Sequence, residues 1–164
     1  MVSSGPAGAH PGATVFKVTV GRTGPVFVLV PADYGRAIDR IDITTPPAFR
    51  LDGGVAPSGW QVARSAATLT FTGGVIQPNL FELLTINGAA IARGQLIFPI
   101  TTHSPDGTVM RYAGGPGAKD VGVVLYADVS PSSFPWKTVG GAAVLALGAG
   151  GTLTVIWRRR HVHP

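Results

Sequence analysis

Apolar and polar residues alternate with a period of two along most of the chain, which is the spacing of β-strands. In residues 14–20, Phe16, Val18 and Val20 point to one side and Val15, Lys17 and Thr19 to the other. Residues 26–30 form an uninterrupted apolar run, which favours a strand covered on both faces. Further strands are predicted at residues 38–44, 61–63, 67–71, 80–86, 95–100, 108–112 and 121–126.

Turn signals rich in Gly and Pro separate these strands, and no stretch before the C-terminal region has the periodicity of a helix. The predicted fold is therefore all-β, an immunoglobulin-like β-sandwich of about seven to nine short strands over residues 14–128. The predicted turns are Pro46-Pro47, Asp52-Gly53-Gly54, Pro57-Ser58-Gly59, Gly73-Gly74, Asn87-Gly88, Pro105-Asp106-Gly107 and Gly114-Gly115-Pro116-Gly117.

The C-terminal region has a different pattern, with no charge from residue 138 to residue 157 and three arginines directly after it. Twenty helical residues span about 30 Å, the thickness of a bilayer's hydrocarbon core. We therefore predict a single transmembrane helix at 138–157, with Trp136 and Trp157 at the two interfaces. A buried Gly-rich segment of a soluble core is the alternative interpretation.

The predicted helix divides the chain into five parts. Residues 1–13 form a flexible N-terminus, 14–128 the sandwich, 129–137 a Pro/Ser linker and 158–164 a basic tail. Because the basic excess follows the span, we expect the protein at the cell membrane, crossing it once, with the tail cytoplasmic and the sandwich extracytoplasmic.

Charge and cysteine content exclude some functions once the span is located. The chain has 13 Lys and Arg, 8 Asp and Glu, and no Cys. Four of the basic residues flank the span, which leaves nine against eight acidic residues in the outer part. A nearly neutral outer domain argues against nucleic-acid binding. The absence of Cys removes disulfides, thiolate metal sites and Cys nucleophiles.

The first residues, MVSSGPAGAH, have neither a basic region nor an apolar run, so they lack the features of a signal peptide. An extracytoplasmic domain ordinarily needs such a signal. Two explanations are open: the C-terminal helix directs insertion, or translation starts upstream of Met1.

Residues able to support catalysis or hold a metal are few, and no enzymatic activity is predicted. Ser58 lies in a turn, outside any Gly-x-Ser-x-Gly nucleophile elbow. His10 and His103 match no zinc spacing, and His161 and His163 fall in the predicted tail.

Glu82 is a carboxylate among apolar neighbours, in the segment LFELLTI. Full burial without a partner would cost several kcal/mol. We therefore expect Glu82 at a sheet edge, paired with an arginine such as Arg93 or Arg111, or serving as a ligand.

A succession of short motifs resembles the YcnI-like copper-binding domain family of bacteria. It runs from a Pro-Gly-Trp turn through an apolar strand and a Gly-Gly-x-Ile-x-Pro turn to an acidic strand, and covers roughly residues 12–115. In this chain the motifs are Pro57-Ser58-Gly59-Trp60, Leu69-Thr70-Phe71, Gly73-Gly74-Val75-Ile76-Gln77-Pro78, the 80–86 strand, Leu96-Ile97-Phe98-Pro99-Ile100 and Asp106-Gly107-Thr108-Val109-Met110-Arg111-Tyr112.

The resemblance implies a copper ion held by an N-terminal histidine, with a strand Glu and a nearby Trp. Imidazole and amine nitrogens suit Cu(II). Glu82 falls in the family's acidic cluster and is the candidate metal ligand; Tyr112 stands where the family has Trp, and His10 is not at the family's histidine position. The leading expectation is copper handling, with a protein partner or copper chaperone. The alternative is a cell-surface structural or protein-binding module without a metal.

Overall fold

The computed structural model describes residues 10–13, 17–32 and 35–129, and these residues form β-strands, turns and loops without a helix. Twelve strands make up this part of the chain. They are β1 (Gly12–Ala13), β2 (Lys17–Thr19), β3 (Gly24–Pro31), β4 (Ile38–Thr44), β5 (Phe49–Val55), β6 (Gln61–Ser65), β7 (Thr68–Ile76), β8 (Phe81–Ala90), β9 (Gly94–Phe98), β10 (Ile100–His103), β11 (Val109–Tyr112) and β12 (Val123–Asp128).

The strands form three hydrogen-bonded sheets. The first has the order β1-β3-β8-β5, the second β11-β10-β4-β7-β6 and the third β2-β12-β9. All of these pairings are antiparallel except the parallel pair of β2 and β12. β9 and β10 belong to different sheets because Pro99, which has no N–H to donate, stands between them.

The core contains the inward-facing side chains of all three sheets. Val26, Val28 and Val30 of β3 alternate with half-buried residues, as the period-two pattern predicts. Phe49 of β5 packs edge-to-face on Phe98 of β9, with ring centroids 5.0 Å apart. The all-β sandwich predicted from the periodicity is therefore present.

The structure corrects the predicted turn at Asp52-Gly53-Gly54. These residues lie inside β5, a strand that the sequence analysis did not predict. A register shift between Leu51 and Gly53 places an extra residue, Asp52, in this strand, and such a bulge is a common use of glycine in sheets.

The turns predicted at Gly73-Gly74 and Asn87-Gly88 are also wrong, since both pairs lie inside long strands. Glycine serves there to admit an aromatic ring at close range. A Cβ on Gly74 would lie 2.1 Å from Nε1 of Trp60, and one on Gly88 would lie 2.4 Å from Cε1 of Phe49. With β1 and β5 added and the predicted 95–100 strand represented by β9 and β10, nine predicted strands become twelve.

Candidate functional site

The outer surface of the β1-β3-β8-β5 sheet is the most distinctive surface of the described residues. Phe81 of β8 lies opposite Pro31 of β3, Leu83 opposite Leu29, and Thr85 opposite Phe27. Val55 of β5 also lies opposite Thr85. We define the apolar face as Phe27, Leu29, Pro31, Val55, Phe81 and Leu83.

These side chains are left uncovered by the described part of the chain. Phe81 is 64% exposed, Val55 56% and Leu83 41%. The other three are half-buried by their own neighbours on the sheet. An aromatic side chain carries about 150–250 Å² and an aliphatic one less, so the exposed parts of the face add up to roughly 400 Å², the size of the largest apolar patch of a typical monomer.

The outer surface of the β11-β10-β4-β7-β6 sheet is polar by comparison. Its central strands carry threonines and charged groups in register, and their side chains alternate with the buried residues of the core. These outward-facing residues are Arg40, Asp42, Thr44, Thr68, Thr70, Thr72, Thr101 and His103.

Asp42 is the centre of a hydrogen-bonded network on this polar surface. The Thr70 hydroxyl donates to its Oδ1 at 2.6 Å, Nη2 of Arg40 to the same oxygen at 3.1 Å, and Nε2 of His103 lies 2.9 Å from Oδ2. Partial burial acts to raise the pKa of Asp42, but the hydrogen bonds from Thr70, Arg40 and His103 outweigh it and lower the pKa below its usual value.

The network supplies hydrogen-bond donors to the Asp42 carboxylate and does not activate a hydroxyl group as a nucleophile. A nucleophilic Ser or Thr has to donate to the base that takes its proton. Within the described part of the chain, the neighbouring hydroxyl of Thr70 donates to the carboxylate and not to the His103 imidazole. The prediction that this chain is not an enzyme is not tested by this geometry and stays a prediction.

Glu82 lies on the core-facing side of β8, opposite Val30, at the end of the strand where it remains half-buried. Its Oε1 accepts a hydrogen bond from the N–H of Leu83 at 3.1 Å. Among the described residues, no arginine forms an ion pair with Glu82. The position at a strand end is therefore the way in which the carboxylate avoids full burial.

His10 packs edge-on against Tyr112, with ring centroids 6.0 Å apart. The two rings line a cavity of about 290 Å³ with Met110, Arg111, Lys119 and Asp120. Glu82 is not among the described residues that line it.

The described residues hold no group of three or more His, Asp or Glu side chains placed to bind a metal ion. Copper binding at Glu82 is therefore not tested and stays a prediction. His103, the other histidine of the described part, lies beside Asp42 and not beside Asp106, whose carboxylate lies 3.6 Å from Nε of Arg36.

The predicted turn at Pro57-Ser58-Gly59 is confirmed, because the N–H of Trp60 donates to the carbonyl of Pro57 and Gly59 has a φ of 81°. The predicted span at 138–157, with His161 and His163 beyond it, lies outside the described residues. Within those residues no helix is long and apolar enough to cross a membrane.

Comparisons with known proteins bear on the fold alone. No family model matches this chain, and no curated protein does. The chain is similar to the crystal structure of an uncharacterized protein from Nocardia farcinica with an immunoglobulin-like fold, with a TM-score of 0.59, 20% identity, and 73% of this chain and 99% of that one covered. The immunoglobulin-like sandwich is thereby confirmed.

A second similar structure is the cohesin module of a family 33 glycoside hydrolase from Clostridium perfringens. Its TM-score is 0.51 at 11% identity, and the match covers 75% of this chain and 98% of that module. At this identity the likeness is one of fold.

Two features of these surfaces were not found by sequence reasoning. The Asp42–His103 contact joins residues 61 positions apart and depends on the pairing of β4 with β10. The sequence indicated the apolar face only in part. Residues 26–30 predicted a strand that is covered on both faces, and the alternation in residues 80–86 placed Phe81 and Leu83 on one face of a strand. The described residues cover only the inner face of that strand.

Proposed function

We propose that this chain is a protein-binding module without catalytic activity, and that it binds its partner on the apolar face. The proposal is carried by the exposure of Phe81, Leu83 and Val55 on one side of a sheet whose other side packs on the core. Exposed apolar patches of several hundred Å² mark interaction sites on soluble domains.

The size of the face fits a standard interface. About 800 Å² per partner is typical, with an apolar centre and a polar rim. A patch of roughly 400 Å² supplies that centre. Burial of the exposed part of Phe81, on the order of 100 Å² at about 25 cal/mol per Å², would contribute about 2–3 kcal/mol to binding.

The likeness in fold to a cohesin module supports treating the sandwich as a module. Because the outer surface of the β11-β10-β4-β7-β6 sheet is polar, we place the partner on the apolar face of the other sheet. A partner on the β1-β3-β8-β5 sheet also supplies the second cover that the apolar run at residues 26–30 predicts.

We further propose that residues 138–157 hold the module at a membrane, with the basic tail cytoplasmic. Protease added to intact cells should remove the sandwich and leave the tail protected. Protection of the sandwich with loss of the tail would contradict this orientation.

The binding proposal is tested with full chains used as baits on an extract of the source cells. The double variant Phe81→Thr/Leu83→Thr removes the apolar side chains and keeps strand propensity. Val109→Thr is the matched control, because Val109 is 56% exposed on the opposite outer surface.

A partner retained by the wild type and Val109→Thr, and lost with the double variant, is then purified and its dissociation constant measured. We expect a weakening of about a hundredfold for the double variant and less than twofold for the control. Equal retention by all three chains would overturn the proposed function.

A further inference from the structure

The inner side of the β1-β3-β8-β5 sheet has a cleft at one end, on the opposite side of the sheet from the apolar face. Its volume is about 210 Å³. Side chains alternate along β3, so Gly24 and Val26 face the cleft whereas Phe27 of the apolar face points away from it. The floor of the cleft is formed by buried residues, which are Val26, Phe49, Gly88 and Ala90.

The rim of the cleft is positively charged. It includes Lys17 of β2 and Arg22, and both of these residues are exposed. No acidic residue of the described chain lines the cleft, and neither cation forms an ion pair with another described residue. The rim therefore presents two cations without a carboxylate, and an anion is the kind of group that it attracts.

Two carboxylates lie on strands next to the rim, and both have other partners. Asp52 of β5 accepts hydrogen bonds from Arg50, whose Nε lies 3.0 Å from Oδ1. Asp128 of β12 lies opposite Thr19 of β2, and its Oδ1 accepts a hydrogen bond from the N–H of Val129 at 2.8 Å. Neither carboxylate therefore neutralises the cations of the rim.

Thr23 adds an oriented hydroxyl group to the cleft, which it lines. Its Oγ1 accepts a hydrogen bond from Nη2 of Arg50 at 2.9 Å. The O–H of the same group is left to donate, because a hydroxyl both donates and accepts. A carboxylate at the rim would thus meet a hydroxyl donor as well as two cations, and hydrogen bonds to ionised groups are the stronger ones.

The turn that carries Arg22 is fixed to the sheet by backbone hydrogen bonds. The N–H of Gly21 donates to the carbonyl of Ala90 at 2.8 Å, and the N–H of Arg22 donates to the carbonyl of Thr19 at 3.2 Å. Gly21 has a φ of 79°, a conformation that favours glycine. The backbone of the rim is therefore already in place beside the buried floor, so a ligand does not have to order it.

The volume of the cleft limits the size of its ligand. An apolar cavity of about 150 Å³ is large enough for benzene. A cleft of about 210 Å³ can therefore hold one ring together with a carboxylate, whereas drug-sized ligands occupy about 300–1,000 Å³. Gly24 leaves space open on the inner side of β3, since a Cβ added there would meet nothing within 4 Å.

We propose that this cleft binds a small organic acid, whose apolar body of about six to eight carbon atoms rests on Val26 and Phe49. Its carboxylate is held at the rim by Lys17, Arg22 and the Thr23 hydroxyl. Because the cleft and the apolar face lie on opposite sides of the sheet, this inference is independent of the proposed function.

The probe for this site is phenylacetate, titrated with the full chain and followed by ligand-observed NMR. Phenylacetamide has the same shape without the charge, and acetate has the charge without the ring. We expect phenylacetate to bind with a dissociation constant of about 2 mM or tighter, with an affinity that falls as salt is raised, and the other two compounds to bind at least about tenfold more weakly. Weaker binding of phenylacetate, or an amide that binds as tightly as the acid, would overturn the inference.

A charge variant tests the rim. Lys17→Gln/Arg22→Gln should weaken the binding of phenylacetate about tenfold, because both cations are lost. Arg111→Gln/Lys119→Gln is the matched control, since these two cations are also exposed and do not line the cleft, and it should bind phenylacetate as the wild type does. Equal affinities for the two double variants would overturn the role of the rim.

A filling variant tests the cleft itself. Gly24→Val should abolish the binding of phenylacetate, because the added side chain takes the space of the ring. Gly12→Val is its control: Gly12 also lies in a strand, its added Cβ meets nothing within 4 Å, and it does not line the cleft. A Gly24→Val chain that is folded by circular dichroism and still binds phenylacetate would place the ligand elsewhere and overturn the proposal. If Gly24→Val does not fold, the charge variant decides, because its two substitutions lie in exposed positions.

Discussion

Replacing Gly74 by alanine is expected to destabilise the sandwich strongly, because this glycine makes room for a buried indole. The added Cβ would lie 2.1 Å from Nε1, 2.3 Å from Cε2 and 2.4 Å from Cδ1 of Trp60. Trp60 is only 8% exposed and belongs to the core. Either the ring or the strand must therefore move.

The magnitude follows from the cost of overpacking. Forcing one extra methyl group into a packed core costs about 1–3 kcal/mol, and displacing the indole entirely approaches the 3–5 kcal/mol of losing a buried Trp. With about 1–3 kcal/mol per molar of urea for a small domain, we expect the midpoint of unfolding to fall by about 1 M.

The assay is urea unfolding of the full chain, followed by circular dichroism. Gly24→Ala is the matched control, since Gly24 also lies in a strand and its added Cβ meets nothing within 4 Å. We expect this control to change the free energy of unfolding by less than about 1 kcal/mol, with a small gain from the reduced entropy of the unfolded chain.

A double-mutant cycle isolates the contact. In a Trp60→Leu background the alanine at position 74 should cost less than about 0.5 kcal/mol, because the smaller side chain leaves room for it. A Gly74→Ala protein as stable as Gly24→Ala would refute the role assigned to this glycine.

Two further stability predictions follow from the structure. The lowered pKa of Asp42 contributes stability that is fully present above its unfolded pKa of about 3.9 and is lost as pH falls through the folded value. Asp42→Asn should therefore lose about 1–2 kcal/mol at pH 7 in urea unfolding, and this difference from the wild type should shrink as pH falls below about 4. A difference that persists unchanged at pH 3 would contradict that reasoning. Gly88→Ala should lower the melting temperature more than Gly24→Ala does, because its Cβ would lie 2.2 Å from the backbone oxygen of Arg50, and equal melting temperatures would count against it.

Alternation along the chain was sufficient to predict the fold class. It located residues 38–44 as a strand with the bounds that the structure has, because the buried Ile38, Ile41 and Ile43 are separated by polar residues that are half-buried or exposed. The immunoglobulin-like sandwich follows from many short strands separated by turns, and this part of the prediction is confirmed.

Glycine misled the prediction wherever it lies inside a strand. Local propensity reads Gly73-Gly74 and Asn87-Gly88 as turns, whereas the structure uses Gly74 and Gly88 as space for Trp60 and Phe49. The aromatic partners come from elsewhere in the chain, Phe49 from β5 and Trp60 from the residue before β6. The reason for each glycine is therefore a tertiary contact, which its own neighbours in the sequence do not show.

The apolar face could be predicted only in part, again because tertiary packing decides which side of a strand is covered. Both faces of residues 26–30 are apolar, so the pattern shows that two covers are needed but not which of them the domain supplies. The structure shows the inner cover, formed by the core around Val28. The outer face, with Phe81 and Leu83, is left for the partner that we propose.

The central claim is tested most directly by the dissociation constant of a purified partner for three full chains: the wild type, Phe81→Thr/Leu83→Thr and Val109→Thr. If the partner docks on the apolar face, the double variant should bind about a hundredfold more weakly, because it loses the apolar area that Phe81 and Leu83 bury. The dissociation constant of Val109→Thr should change by less than twofold. Equal affinities for the three chains, with all of them folded by circular dichroism, would contradict it.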